Sequence, residues 1–495
     1  MFIYDHIAGF VENVTGGEDD DNYDPHEHRK IKKPTTYGET MMHLVKGSLG
    51  AGLLAMPSAV ARLGIVYGCI GIILIGLFAT YCIQILVLSQ YQVCKKNKRG
   101  YMAYHKSMKV ALESGPKFLR PFSNLLSQGV DMFLILWQIG ICAIYFVFVS
   151  ENVKQILDHY GHGISVRMLI CYMYPILLGL SLIKDLKVLA PFSTFSNFCV
   201  ILGLILVFFY LVQDDVNIDE EKYNFTRIQE IPVFIGITLF ALEAVGVVLA
   251  LEYNMENPKD FTGFCGLFSI AMYMIIFIYT TLGLCGYLKY GAACKGSVTL
   301  NLPENEKKAQ AAKLLFAMAL FLSYPLQNFV AWQIIWRKLI KRVDQNRRKY
   351  ADYILRVLVA SIPFMLAVAA PMLGPFMGLM GALCLSTSAV MFPAVMELAV
   401  YYPNRYGFCY YRLFSDIFII FFSVFCCFSG VYTSLLEMYE TGVVRRILHV
   451  QSVCTNFAQT VLMATTSSLI CANNNTVCYT WWNVKCQQAI TLLLL

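Results

Sequence analysis

Long apolar stretches, each closed by a polar loop, recur along the chain from residue 41 to residue 437. A membrane-crossing helix needs about 20 predominantly apolar residues. That rule predicts spans at 41–62, 65–91, 122–149, 166–184, 188–211, 232–253, 263–288, 313–336, 353–372, 375–400 and 412–437, eleven in all. Two of them are interrupted. Met41–Pro57, MMHLVKGSLGAGLLAMP, sets Gly47, Gly50 and Gly52 close together and closes on Pro57. Each glycine lowers helix propensity by about 1 kcal/mol against Ala. The sixth span reads FALEAVGVV over Phe240–Val248, with Glu243 and Gly246 inside an apolar run. A central charge in a span costs about 2.5–3.5 kcal/mol on insertion scales, so Glu243 is expected to face the protein interior.

An unpaired backbone group in hydrocarbon costs several kcal/mol, so a broken helix persists only where protein buries it or where it lines a cavity. The interrupted spans are each the first of a five-span block. Breaks at matched positions of two halves point to a binding site near the midplane, as in secondary transporters. The odd block length makes the halves insert in opposite senses. The expected fold is therefore all-α and polytopic, an inverted five-plus-five repeat with an eleventh helix appended. The competing reading of the first break, close helix packing through small residues, has no counterpart for the paired break in span six.

Charge placement orients the chain. Lys95, Lys96, Lys98 and Arg99 follow the second span, and Arg337, Lys338, Lys341 and Arg342 follow the eighth. The loop after the fifth is acidic, with Asp214, Asp215, Asp219, Glu220 and Glu221. The positive-inside rule then places the N-terminus in the cytosol and the acidic loop outside. Asn224-Phe225-Thr226 lies in that loop, so Asn224 is a predicted glycosylation site. The predicted divisions are a disordered cytosolic tail (1–40), a first repeat (41–211), the external acidic loop (212–231), a second repeat (232–400), the eleventh helix (401–440) and an atypical, disordered external tail (441–495). Asp131, Glu397 and Asp416 fall near predicted span ends and are read as solvated at the interface.

Composition agrees with this picture. The chain of 495 residues is 57% hydrophobic and 14% charged, against about 25% charged in a soluble domain. The lipid bilayer is the partner this implies. The net charge of +7 belongs to topology and does not call for nucleic acid. The 17 cysteines lie mostly in apolar spans, where they act as small hydrophobes, and no CxxC pair has metal spacing. No phosphate loop ending in GK[ST], no HExxH and no G-x-S-x-G elbow is present, so neither an ATP motor nor an enzyme is predicted.

HLVKGSLGAGLLAMP (His43–Pro57), LAPFS (Leu189–Ser193), FALEAVGVVLALE (Phe240–Glu252), Met255-Glu256-Asn257-Pro258, SVTLNLP (Ser297–Pro303) and YPLQNFV (Tyr324–Val330) together resemble the proton-coupled amino acid transporters of the amino acid/auxin permease superfamily. The likeness runs from residue 37 to about 437. It implies a leucine-transporter-type fold and symport of small neutral amino acids with protons, the proton being the coupling ion and no other cofactor being needed. It also implies the plasma membrane or a lysosomal or endosomal membrane. The chain departs from the family at Ala250, where Pro is frequent, and at Cys294, which lacks the paired external cysteine of vertebrate relatives. Alternatives are a sodium-coupled or exchanging member of the superfamily, and a nutrient receptor with little flux whose N-terminal tail docks growth-signalling partners.

The candidate substrate site is Gly47, Ser48, Leu49, Gly50, Ala51 and Gly52 from span one with Phe240, Glu243 and Gly246 from span six. Amides freed between Ser48 and Gly52 suit a substrate carboxylate at the positive end of a half-helix. Glu243, whose acidity desolvation changes, and His43, whose ordinary pKa is near 6.5, are the candidate proton carriers. Tyr324, Gln327 and Asn328 are polar groups at a costly depth and are candidates to line the path. Pro325 among them leaves a backbone carbonyl without its donor.

Overall fold

A computed structural model of the chain describes residues 23–29, 31, 33–183, 186–213, 227–242, 245–403, 406–407 and 410–471. Glu243, Asn224 and most of the acidic loop lie outside the described residues. The chain divides into two units, Met1–Ser434 and Leu435–Leu495.

The first predicted span begins earlier than expected, as α1 (Tyr37–Ser48). The cause is local. Thr36 Oγ1 accepts the Glu39 amide at 3.3 Å and the Thr36 amide donates to Glu39 Oε2 at 2.9 Å, a capping box. The helix stops at Leu49, whose ψ of 81° is no longer helical, and Gly50 is extended at φ −137°, ψ −155°. Helix then resumes as α2 (Ala51–Leu54) and α3 (Met56–Leu63). The second predicted span is α4 (Ile65–Lys96), followed by a short surface helix α5 (Tyr104–Ser114). Next come α6 (Ser123–His159), α7 (Val166–Ser181) and α8 (Leu186–Val212). The sixth span is divided as its sequence predicts, into α9 (Ile231–Ala241) and α10 (Val245–Asn254). After these run α11 (Leu267–Tyr290), α12 (Lys307–Leu339) and α13 (Arg348–Ala369). The tenth span is α14 (Leu373–Met380), a π-helical stretch (Gly381–Met391) and α15 (Phe392–Val400). The last element is α16 (Tyr411–Cys471).

Among the described residues, eight helices are long and apolar enough to cross a membrane. The other three predicted spans are the two broken ones and α7, which has 16 residues.

Packing follows the expected repeat. The first, second, sixth and seventh segments pack together: α11 on α1, α3 and α4, and α9 on α3 and α4. The third, fourth, eighth and ninth form another group: α6 on α7, α12 and α13, and α7 on α13. Each segment thus shares its group with the one five places later. The tenth bridges the groups, since the π-helical stretch touches both α9 and α6. It meets α9 backbone to backbone: a Cβ at Gly381 would lie 1.8 Å from the Gly236 carbonyl oxygen.

Three expectations are corrected. Residues 23–36 are not a loose tail where described but pack on the end of α10, as set out below. The C-terminal region is helical through Cys471 rather than disordered from 441; no Gly or Pro lies between Val443 and Cys471 to stop a helix. Asp131, Glu397 and Asp416 are buried, at 2%, 7% and 0% exposure, not solvated. Hydropathy locates a span end but is blind to the neighbouring helix that covers it. Asp131 is covered by basic side chains: Lys338 Nζ is 2.8 Å away, Arg337 3.3 Å and His105 Nδ1 3.6 Å.

Candidate functional site

The two helix breaks meet. A Cβ placed on Gly52 would lie 2.5 Å from Ala241 Cα, so only glycine allows this approach of α2 to the end of α9. Both breaks leave helix-terminal carbonyls without intrahelical donors, and one side chain serves both. The Tyr279 hydroxyl, on α11, donates to the Ser48 carbonyl and lies 3.0 Å from the Ala241 carbonyl oxygen. Tyr279 is fully buried.

The amides sort differently from the expectation. The Leu49 amide donates to Val45 at 3.2 Å and the Gly50 amide to the Ser48 carbonyl at 3.0 Å. The amides that open the new helix belong to Ala51, Gly52 and Leu53, and first-turn amides have no intrahelical acceptor. The free first-turn amides after the break are thus those of Ala51–Leu53, not the whole of Ser48–Gly52. Ser48 instead turns its Oγ onto the Leu44 carbonyl at 3.2 Å. Gly47 is exposed, with open space where a Cβ would stand.

From α9, Phe240 is buried and packs against Trp137 of α6, ring centroids 5.1 Å apart. The Trp137 indole N–H is buried and has no acceptor among the described residues. Gly246, at the start of α10, is exposed. His43 is exposed on α1, one turn from Glu39. Tyr324 is buried on α12, 5.1 Å from the Phe146 ring of α6, and its hydroxyl is 3.4 Å from the Ala360 carbonyl. Asn328 is buried and Gln327 half-buried on the same helix, which runs unbroken through Pro325. The structure thus gathers Ser48, Gly52, Ala241 and Phe240. Tyr324 joins α6 through Phe146. Sequence reasoning missed Tyr279 and Trp137, because a tyrosine or tryptophan in an apolar span has the pattern of packing.

The profile of the transmembrane amino acid transporter protein family matches residues 33–436. The chain belongs to that family. It is 38% identical over 398 residues to the proton-coupled amino acid transporter-like protein pathetic of Drosophila melanogaster, covering 80% of this chain and 83% of the relative. It is 26% identical over 416 residues to amino acid transporter ANT1 of Arabidopsis thaliana, covering 80% of this chain and 92% of that one. Among solved structures it is similar to a Na+-coupled sialic acid symporter in a substrate-bound outward-open state, with a TM-score of 0.49, 13% identity and coverage of 88% and 96%.

In this amino acid transporter the residues before α1 form a strap across the end of α10. Arg29 donates to the carbonyls of Tyr253 and Met255, each at 2.7 Å, and of Glu256 at 3.2 Å, closing the C-terminal end of α10. Asp24 pairs with Lys259 at 3.0 Å, and His26 Nδ1 is 3.4 Å from Glu252. Burial pushes the His26 imidazole below its ordinary pKa against the pull of Asp24, with Arg29 and Lys259 adding to the downward shift. Thr35 then bridges to Met255, its amide on the Asn254 carbonyl at 2.8 Å, directly before α1 begins. Beneath the strap lie Gln90, Tyr91 and Cys94 of α4. Cys294 is a free thiol.

Proposed function

We propose that the protein is a proton-coupled symporter of small neutral amino acids that works by alternating access, with its N-terminus in the cytosol. The observation that carries this reading is the shared hydroxyl of Tyr279. It brings two carbonyl-bearing helix ends together, and these ends attract a cation. The amides of Ala51–Leu53 open a helix beside them and attract an anion. One place that offers both polarities a few ångströms apart suits a zwitterion. An amino acid would set its ammonium towards the Ser48 and Ala241 carbonyls and its carboxylate towards the α2 amides. Gly52 against Ala241 leaves little room, and Phe240 with Trp137 walls the side-chain end, which favours small neutral substrates. Glu243, next after Leu242 in the sequence, is the proton carrier in this reading. The likeness to a proton-coupled amino acid transporter-like relative supports the choice of ion.

Uptake of radiolabelled alanine or proline into proteoliposomes at pH 5.5 and 7.4, with and without sodium, tests it. Uptake is expected to rise at the lower external pH and to ignore sodium; uptake that requires sodium and ignores pH overturns proton coupling. Glu243→Gln is expected to abolish uptake or flatten its pH profile while the protein still reaches the membrane. Unchanged uptake removes Glu243 from the mechanism.

A further inference from the structure

Away from the breaks, two buried carboxyls face each other between α15 and α16. Glu397 lies in the last turn of α15 and Asp416 in the second turn of α16. Asp416 has no exposed surface, and neither of its oxygens accepts a hydrogen bond from an N–H or O–H among the described residues. What it faces is the carboxyl of Glu397, within hydrogen-bonding reach.

Among the described residues the charges around the pair do not balance. Arg412 is the cation beside it, its Nε 3.9 Å from Glu397 Oε1. Its guanidinium is shared with aromatic neighbours: it lies 4.3 Å over the Tyr401 ring, and Nε donates to the Tyr411 hydroxyl at 3.1 Å. The titratable groups facing the pair from other elements are Tyr81 and Cys82 on α4 and Tyr406 in the connecting loop. None of these three brings positive charge at neutral pH; the Lys96 ammonium of α4 donates to the Val400 carbonyl at 2.8 Å, three residues beyond Glu397. Among the described residues two acids therefore share one cation in a buried place. A buried carboxylate with neither donor nor counter-ion is costly, and ionised carboxylates are acceptors only, so two in contact form a hydrogen bond only if one carries a proton.

We propose that Glu397 and Asp416 together form a proton-binding site, one proton held between the two carboxyls, distinct from the helix breaks. With the proton in place, α15 and α16 are held edge to edge by a short acid–carboxylate bond. Its removal leaves two like charges in contact and drives those helix ends apart. The site rests on geometry and charge count and is independent of which ion drives transport.

Infrared spectroscopy of the full chain in lipid tests this without any need for transport. The carboxylic-acid C=O band at pH 7.4 is expected to be stronger in the wild type than in Asp416→Asn, which keeps the shape of the side chain, and than in Glu397→Gln. Labelling the otherwise unchanged protein with 13C-carboxyl aspartate is expected to displace part of that band, an arm that depends on no substitution. Spectra identical among wild type and both variants, or no displacement on aspartate labelling, overturn the proposal. A carboxylate band that shifts when Na+ or Li+ is added at constant pH also overturns it, and marks a metal-cation site instead.

Discussion

The Tyr279 hydroxyl has one proton and two carbonyl acceptors, Ser48 and Ala241. It can serve both only as a shared contact, so its bond strength depends on how close the two breaks stand. Tyr279→Phe removes the proton and keeps the ring. A neutral hydrogen bond contributes about 0.5–1.5 kcal/mol, and leaving buried acceptors unsatisfied costs about 1–3 kcal/mol. The variant is therefore expected to reach the membrane and to lose about tenfold or more in uptake, measured as initial rate at equal protein. Gly52→Ala acts at the same place by volume. Its added methyl would stand 2.5 Å from Ala241 Cα, with backbone rather than a flexible side chain in the way. Overpacking of this kind costs about 1–3 kcal/mol, and thermal melting in detergent is expected to fall accordingly. Gly47→Ala, inside α1 where nothing lies within 4 Å, is the matched substitution expected to leave melting unchanged or to raise it slightly through helix propensity. The glycines were legible in the sequence as a set, but which of them is sterically required was not. That depends on a residue nearly two hundred positions away.

At the scale of elements, the breaks in the first and sixth spans were readable because glycine and an acid are both poor in a membrane helix. The strap was not. Arg29 binds backbone carbonyls at the end of α10, and a carbonyl leaves no mark on a hydropathy profile. The polar character of residues 23–36 reads as disorder until the bare helix end that satisfies them is known. The strap joins the residues before α1 to the end of α10, and so couples the first half of one broken span to the second half of the other. Arg29→Ala strands three carbonyls and is expected to open the space over Cys94. Charge-assisted bonds contribute about 1.5–3 kcal/mol each. Alkylation of Cys94 in the purified protein, followed by mass spectrometry of its peptide, is expected to quicken by about tenfold or more. Arg29→Lys, which lacks the planar fork, is expected to fall between the two. Equal Cys94 rates in Arg29→Ala and wild type would show that the strap does not hold that corner shut.

For the whole molecule, the five-plus-five grouping follows from packing of the first, second, sixth and seventh segments against one another, and of the third, fourth, eighth and ninth. The order of apolar segments foretold it; the burial of Asp131, Glu397 and Asp416 was not foretold, since a span end looks the same whether water or another helix covers it. The family profile ends at residue 436, and the first unit ends at Ser434. A chain stopped after Gly442 is therefore expected to keep the wild-type melting temperature and uptake; loss of either would assign the second unit a part in folding or transport.

The π-helical stretch Gly381–Met391 has a further consequence. A π turn takes in more residues than an α turn, typically through one extra residue in the chain. The stretch therefore sets the angular phase of everything after it, including α15. Each residue of an α-helix turns its neighbour by about 100°. Deleting one residue between Leu383 and Val390, so that the stretch tightens to an ordinary helix, would rotate Glu397 about a quarter-turn around its axis and point it away from Asp416. The irregular turn thus works as an angular spacer: the face packed on α9 and the Glu397 end of the same span are clocked by one extra residue.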